Sequence, residues 1–322
     1  MDFLKRRILI SIVVFVVAVN LDFILPRLVP GNAAEIFSSG TKLSPDAVSF
    51  LIQRFGLNQS LSVQYYLFLK GIFATWPPYF GVSFTFYPTT VTDLIAERLP
   101  WTILLVASSA IISFQISYWL AVISSLRRGG KFEFASLYTS ILFWSTPAFW
   151  VGMILIWLFA VDLHWLPVFG TASFNSGQGL DYASSVAAHA ILPVVTLTLI
   201  IFGQNYFVLR GASQIALKSD YVITAKSRGL KSRTIAVNYV LRNSLLPSIS
   251  LIGYSLASLI SAVILVEAVF GYSGVGDLIV DAVFNRDYPV LEGSFFYMTL
   301  IVVIGGLVGD FILVKLDPRL RS

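Results

Sequence analysis

The chain has 322 residues, of which 57% are hydrophobic and 12% charged, and its mean hydropathy is +0.81. Soluble domains carry about twice that share of charge, so a soluble enzyme is excluded and a polytopic membrane protein is expected. The formal charge of +5 does not point to nucleic acid, because the basic residues cluster between long apolar runs, where they set membrane orientation. There is no cysteine, which excludes a disulfide framework, a thiolate metal site and Cys-based catalysis.

A spanning helix needs about 20 mostly apolar residues. In chain order six windows qualify, at about 8–29, 101–124, 134–161, 183–209, 244–268 and 291–314. In the first, Lys5, Arg6 and Arg7 precede a short apolar core, as in a signal peptide. Asn32-Ala33-Ala34 is a poor cleavage site, however, and apolar character continues through Phe23-Ile24-Leu25, so an uncleaved anchor helix is expected. The stretch 30–97 reads as a long loop, with Ser44 to Phe55 a short amphipathic helix behind Pro45. The second, third and fifth windows hold no charge from Trp101 to Ser124, Phe134 to Val161 and Ser244 to Val266. In the sixth, Gly305 and Gly309 are spaced for close helix contact. With the N-terminus inside, sixteen of the 22 Lys and Arg fall in inner segments, which places both termini in the cytoplasm. The chain is expected to form a single domain over 1–322. Its parts are a first helix at 1–29, an extracytoplasmic loop at 30–97, a core at 98–314 and a tail at 315–322.

Ionisable residues inside a membrane raise a functional question by default. Asp22, Glu267 and Asp310 fall inside or at the edge of windows, all near interfaces, where structural roles are expected ahead of ion coupling. No phosphate-cradling G-x-x-x-x-G-K-[ST], H-E-x-x-H or G-x-S-x-G occurs, and His164 and His189 stand alone. No enzyme active site is expected.

The inner loop at about 210–243 carries seven of the sixteen inner basic residues. Asp220 reads as the cap of a helix running from Tyr221 to Arg228, ended by Gly229 in the left-handed conformation. Ser232 reads as the cap of a second helix towards Leu245 and Pro247. Tyr221, Val222 and Ala225 share one face, with Lys226 and Arg228 adding positive charge. Such a helix suits either a groove on another protein or the surface of anionic lipid.

The run Asp220-Tyr-Val-x-Thr-Ala-Lys-Ser-x-Gly-Leu230, followed by Leu241-Arg-Asn-Ser-Leu-Leu-Pro247, resembles the EAA-type cytoplasmic loop of ABC importer permeases. The resemblance is to B-type subunits of the oligopeptide/dipeptide/nickel class and covers nearly the whole chain. It includes Phe55-Gly-Leu-Asn-Gln-Ser-Leu, Ile95-Ala-Glu-Arg-Leu-Pro-Trp-Thr, Ser145-Thr-Pro-Ala-Phe-Trp-Val-Gly, Glu267-Ala-Val-Phe-Gly-Tyr-Ser-Gly-Val-Gly and Leu316-Asp-Pro-Arg. Ile223 stands where the general EAA loop has an acid, and the Trp76-Pro-Pro-Tyr-Phe80 insert has no counterpart in the motif.

The resemblance implies an all-α, six-helix type I ABC importer permease in the plasma membrane. Its partners would be a second permease, two ATPases and an external substrate-binding protein, with ATP and Mg held by the ATPases. Asp220, Tyr221, Thr224, Ala225, Lys226, Arg228, Gly229 and Leu230 would dock to an ATPase. Trp144, Phe149, Trp150, Gln204 and Tyr254 are candidate pore-lining residues. Peptides are the expected cargo and oligosaccharides the rival, while nickel lacks His or Cys ligands. An ion-coupled carrier and a membrane scaffold are the alternatives from other classes.

Overall fold

A computed structural model describes residues 3–28, 49, 52–53, 56, 58–173, 177–249 and 252–316. The expected amphipathic helix at Ser44 to Phe55 falls largely outside the described residues. Helix dominates, and the described residues hold no strand beyond an isolated Val82–Thr90 bridge. In chain order the helices are α1 (Phe3–Leu28), α2 (Leu61–Phe73), α3 (Val91–Leu126), α4 (Lys131–Ser145) and α5 (Ala148–Leu155, continued by a π-helical Ile156–Asp162). Then come α6 (Leu180–Leu217), α7 (Asp220–Ser227), α8 (Ser232–Ile235, continued by a π-helical Ala236–Leu241), α9 (Arg242–Ile249), α10 (Ile252–Phe270), α11 (Val275–Phe284) and α12 (Tyr288–Leu316).

Among the described residues five helices, α1, α3, α6, α10 and α12, are long and apolar enough to cross a membrane. The third apolar window is not one continuous helix. It is a broken span, α4 plus α5, bent by 105°. Pro147 drives the residue before it out of the helical region, and Thr146 accordingly sits at φ −91°, ψ 133°. Thr146 Oγ1 donates to the Leu142 carbonyl at 2.6 Å and Ser145 Oγ to the same oxygen at 3.2 Å, so the frayed end is satisfied by hydroxyls. In the fifth window the described residues on either side of 250–251 are helical, Arg242–Ile249 (α9) and Ile252–Phe270 (α10).

The chain divides into two compact units, and α1, α3 and α12 carry residues of both. In the unit formed by 12–101 and 273–301, an aromatic chain runs Phe15–Phe296–Phe80–Phe68–Phe23, with ring centroids 5.3 to 6.3 Å apart. Gly293 lets α12 approach α3, since a Cβ there would stand 2.6 Å from Val91 Cγ1. Thr90 and Asp93 start α3 with a reciprocal cap: Thr90 Oγ1 donates to Asp93 Oδ2 at 2.6 Å and accepts the Asp93 N–H at 3.2 Å. On α11, burial and the Asp281 charge hold the Asp277 carboxyl above its usual range, against the pull of Arg98 at 3.2 Å.

The other unit holds 3–11, 102–272 and 302–316 of the described residues. Its hub is α6, 61% buried over its most apolar stretch. Gly203 brings α4 against α6, where an added Cβ would lie 2.4 Å from the Ser140 carbonyl oxygen and 2.7 Å from Trp144 Cβ. The Gly305–Gly309 spacing is used as read. A Cβ at Gly305 would meet Leu256 Cδ1 at 2.3 Å, one at Gly309 would meet Ile252 Cβ at 3.0 Å, and Gly306 faces Gly253 between them.

Candidate functional site

The inner-loop motif folds as the helix–turn–helix expected of it, with shifted caps. Ser219, at φ −76°, ψ 149°, holds the N-cap position, and Asp220 is the first helical residue. An acid in the first turn still complements the positive helix end. Likewise Lys231, not Ser232, precedes α8. Neither cap residue makes a side-chain cap bond; Ser219 Oγ donates back to Ile215 O at 3.2 Å.

The end of α7 matches the sequence reading. Gly229 has φ +74°. Its N–H donates to Lys226 O at 2.9 Å and the Leu230 N–H to Ala225 O at 3.3 Å. That pair of bonds is a Schellman ending, which needs a left-handed residue and so favours glycine.

The shared face of Tyr221, Val222 and Ala225 is split by the fold. Val222 and Ala225 are fully buried in a cluster with Val122 of α3, Ala216 of α6 and Ile235, Ala236, Val240 and Leu241 of the following helices. The apolar pair is the base on which α7 sits, not the surface it offers. Outward lie Asp220, Tyr221, Ile223, Thr224, Lys226, Arg228, Gly229 and Leu230. Ile223, which occupies the position where the general motif is acidic, is 53% exposed.

The stem of α7 is anchored by groups that the sequence reading missed. Arg210 of α6 forms an ion pair with Glu133 of α4, whose side chain is 6% exposed. Glu133 Oε2 also accepts the Gly129 N–H at 2.6 Å. Beside them Tyr206 Oη and Ser124 Oγ share a hydrogen bond of 2.7 Å. Glu133 stands just outside the third window and Arg210 just outside the fourth. The available signal was an acid three residues after Gly130 at a helix start.

Of the candidate lining residues, Trp144 in the last turn of α4 and Phe149 and Trp150 in the first turn of α5 flank the 105° break, and all three are exposed. The Trp144 ring lies 5.5 Å from that of Phe207 on α6. Gln204 is buried instead: its Nε2 is 3.5 Å from Ser255 Oγ of α10. It belongs to a polar ladder in which Ser255 Oγ donates to Asn205 Oδ1 and Asn205 Nδ2 to Ser113 Oγ, each at 3.3 Å. Tyr254, next to Ser255, is exposed.

Asp22 and Glu267 are buried. Asp310 lies 3.7 Å from Arg7 Nε. A fourth acid inside a window, Glu292, escaped the sequence reading; Arg27 donates to it, and the guanidinium stacks 3.6 Å from the centre of the Phe23 ring. Among the described residues no group of three His, Cys, Asp or Glu could hold a metal.

Two family models match the sequence. Residues 1–106 match the N-terminal membrane component of binding-protein-dependent transport systems. Residues 116–322 match the binding-protein-dependent transport system inner membrane component. The oligopeptide transport system permease protein AppB of Bacillus subtilis is 32% identical over 319 residues, covering 99% of both chains. The di/tripeptide transport system permease protein DppB of Pseudomonas aeruginosa is 28% identical over 340 residues, covering 100% of this chain and 99% of its own. Among solved structures, a chain of the inward-facing MetNI methionine ABC transporter superposes with a TM-score of 0.54 at 16% identity, covering 70% of this chain and 97% of its own, which speaks to the fold. The chain belongs to the binding-protein-dependent transport system inner membrane component family, the permease subunits of ABC transporters.

Proposed function

We propose that this chain forms one half of the pore of an ATP-driven peptide importer in the plasma membrane. The curated relatives quoted above are oligopeptide and di/tripeptide permeases along their full length, which favours peptides over sugars. A second permease completes the pore, two ATPases drive it and an external binding protein delivers the cargo. This chain supplies no ATPase site of its own. The core at 98–314 moves the cargo, and both termini face the cytoplasm.

The observation that carries the coupling role is the seating of α7. A helix held by two buried side chains, and closed by a Schellman turn, offers Tyr221, Ile223, Lys226, Arg228 and Leu230 outward. A basic, partly apolar knob on a rigid base is suited to insertion into a groove. A push on the knob would pass through Val222 and Ala225 to α3 and α6, and through Arg210–Glu133 to the broken span beside Trp144. The exposed aromatics at the break would then meet the cargo, while Gln204 would tie α6 to α10.

The absence of cysteine makes single-cysteine work clean. Ile223→Cys carrying a benzophenone is expected to cross-link, in native membranes, to an ATPase that co-purifies with a second permease. Cross-links to lipid alone, in an active complex, would refute the docking role. For orientation, Lys218→Cys should react with an impermeant maleimide only after permeabilisation and Ser60→Cys in intact cells; the reverse pattern would overturn the assignment of sides.

A further inference from the structure

We propose that α2 and the Trp76–Phe80 turn form an interfacial anchor, seated in the headgroup layer around the C-terminal end of α1, with lipid covering their apolar face. The inference goes beyond the transport reading and depends only on α1 spanning the membrane.

One face of α2 is apolar yet open. Tyr66 is 63% exposed and Phe73 72%, with Val63 and Leu67 on the same side, and Trp76 just beyond is 92% exposed. The spacing 63, 66, 67, 70, 73 is a helical stripe. Lys70 lies in that stripe, where a long stem can lie along apolar surface while the ammonium reaches water. A contiguous apolar patch of this kind marks an interface rather than a solvated loop. Tyr and Trp with a basic residue is the composition of membrane–water boundaries.

The level of the patch is fixed by what α2 touches. Arg27 Nε donates to Gln64 Oε1 at 3.3 Å, and Tyr65 Oη donates to Asn20 Oδ1 at 2.6 Å. The Phe23 ring lies 5.1 Å from that of Tyr65 and 5.4 Å from that of Phe68. At about 1.5 Å per residue, the apolar stretch from Ile8 to Leu28 is about 30 Å long, close to the hydrocarbon thickness. Asn20 is then about 12 Å inside its C-terminal end. So α2 crosses α1 within the last turns of a spanning helix rather than above it. The turn goes deeper: Phe80 packs on Phe296, which packs on Phe15, each pair about 5.5 Å apart. At that level the neighbouring surface is apolar too, since Leu21, Ile24, Leu25 and Leu28 of α1 are exposed. The open face of α2 continues that surface, which favours lipid as its cover over a water-soluble protein.

The test uses the assembled transporter in liposomes, with a nitroxide on single cysteines at Tyr66, Phe73 and Trp76 and on Lys218→Cys as aqueous control. All four sites are exposed, so the labels do not disturb packing. Power saturation should show oxygen accessibility severalfold above that of a water-soluble nickel chelate at the three α2 sites, with the opposite ratio at Lys218. Water-like ratios at all three α2 sites would overturn the proposal. So would labels that are immobilised and shielded from both relaxants, because a protein partner would then cover the face.

Discussion

Replacing Glu133 by Ala removes the acid that ties the stem of α7 to the start of α4. The pair is largely out of water, with 21% of the Arg210 side chain and 6% of the Glu133 side chain exposed. Breaking a buried pair by deleting one partner costs about 3–5 kcal/mol, because the other charge is left uncompensated. Partial exposure of Arg210 puts the loss at the low end, about 3 kcal/mol, and loss of the bond from the Gly129 N–H adds about 1 kcal/mol. For a chain this long, roughly 2 °C of melting temperature corresponds to each kcal/mol. Glu133→Ala should therefore lower the melting temperature of the purified transporter, followed by intrinsic tryptophan fluorescence, by about 6–8 °C. Glu133→Gln should fall between, since it can still accept from Gly129. Glu133→Ala with Arg210→Leu should be more stable than Glu133→Ala alone. A melting temperature for Glu133→Ala within about 1 °C of the parent, or a double variant worse than the single, would refute the clamp.

Three further outcomes concern glycines. At Gly229 an added Cβ meets nothing within 4 Å, so Gly229→Ala costs only backbone strain, about 1–2 kcal/mol. It should raise ATP hydrolysed per peptide imported, whereas Gly229→Asn should stay near the parent; equal coupling ratios in all three would contradict the role of the turn. Gly203→Ala must push α4 off α6, because the clash is with backbone, and should cost about 2 kcal/mol in thermal unfolding, while Gly211→Ala, with open space around it, should be neutral or slightly stabilising. Gly305→Leu should separate α10 from α12 and lower stability by at least about 2 kcal/mol; unchanged unfolding would show that the contact with Leu256 is not formed.

The spans were legible because about 20 consecutive apolar residues leave few alternatives. The turn at Gly229 was legible because only a left-handed residue closes that helix. The break in the third window was not. Pro26, Pro100, Pro193 and Pro247 all lie inside helices that continue past them, so a proline alone does not decide. At Pro147 the extra ingredient is Ser145 and Thr146, whose hydroxyls take up the Leu142 carbonyl. Periodicity found the apolar face of α7 but not its cover, because Val122 and Val240 come to it from other parts of the chain. The charge pairs stayed hidden for the same reason: Arg27 and Glu292 stand 265 residues apart. Gln204, a candidate lining residue by sequence, is buried with its Nε2 3.5 Å from Ser255 Oγ of α10, a pairing across helices that no local pattern reveals.

The central claim is that these helices are half of a pore driven by a motor on another chain. Its most direct test is uptake of a labelled di- or oligopeptide into liposomes holding the co-purified complex, with ATP on the ATPase side and the binding protein on the other. The account predicts uptake that requires both ATP and the binding protein, and that is unaffected when proton and sodium gradients are collapsed. Uptake that proceeds on an ion gradient without ATP would contradict it.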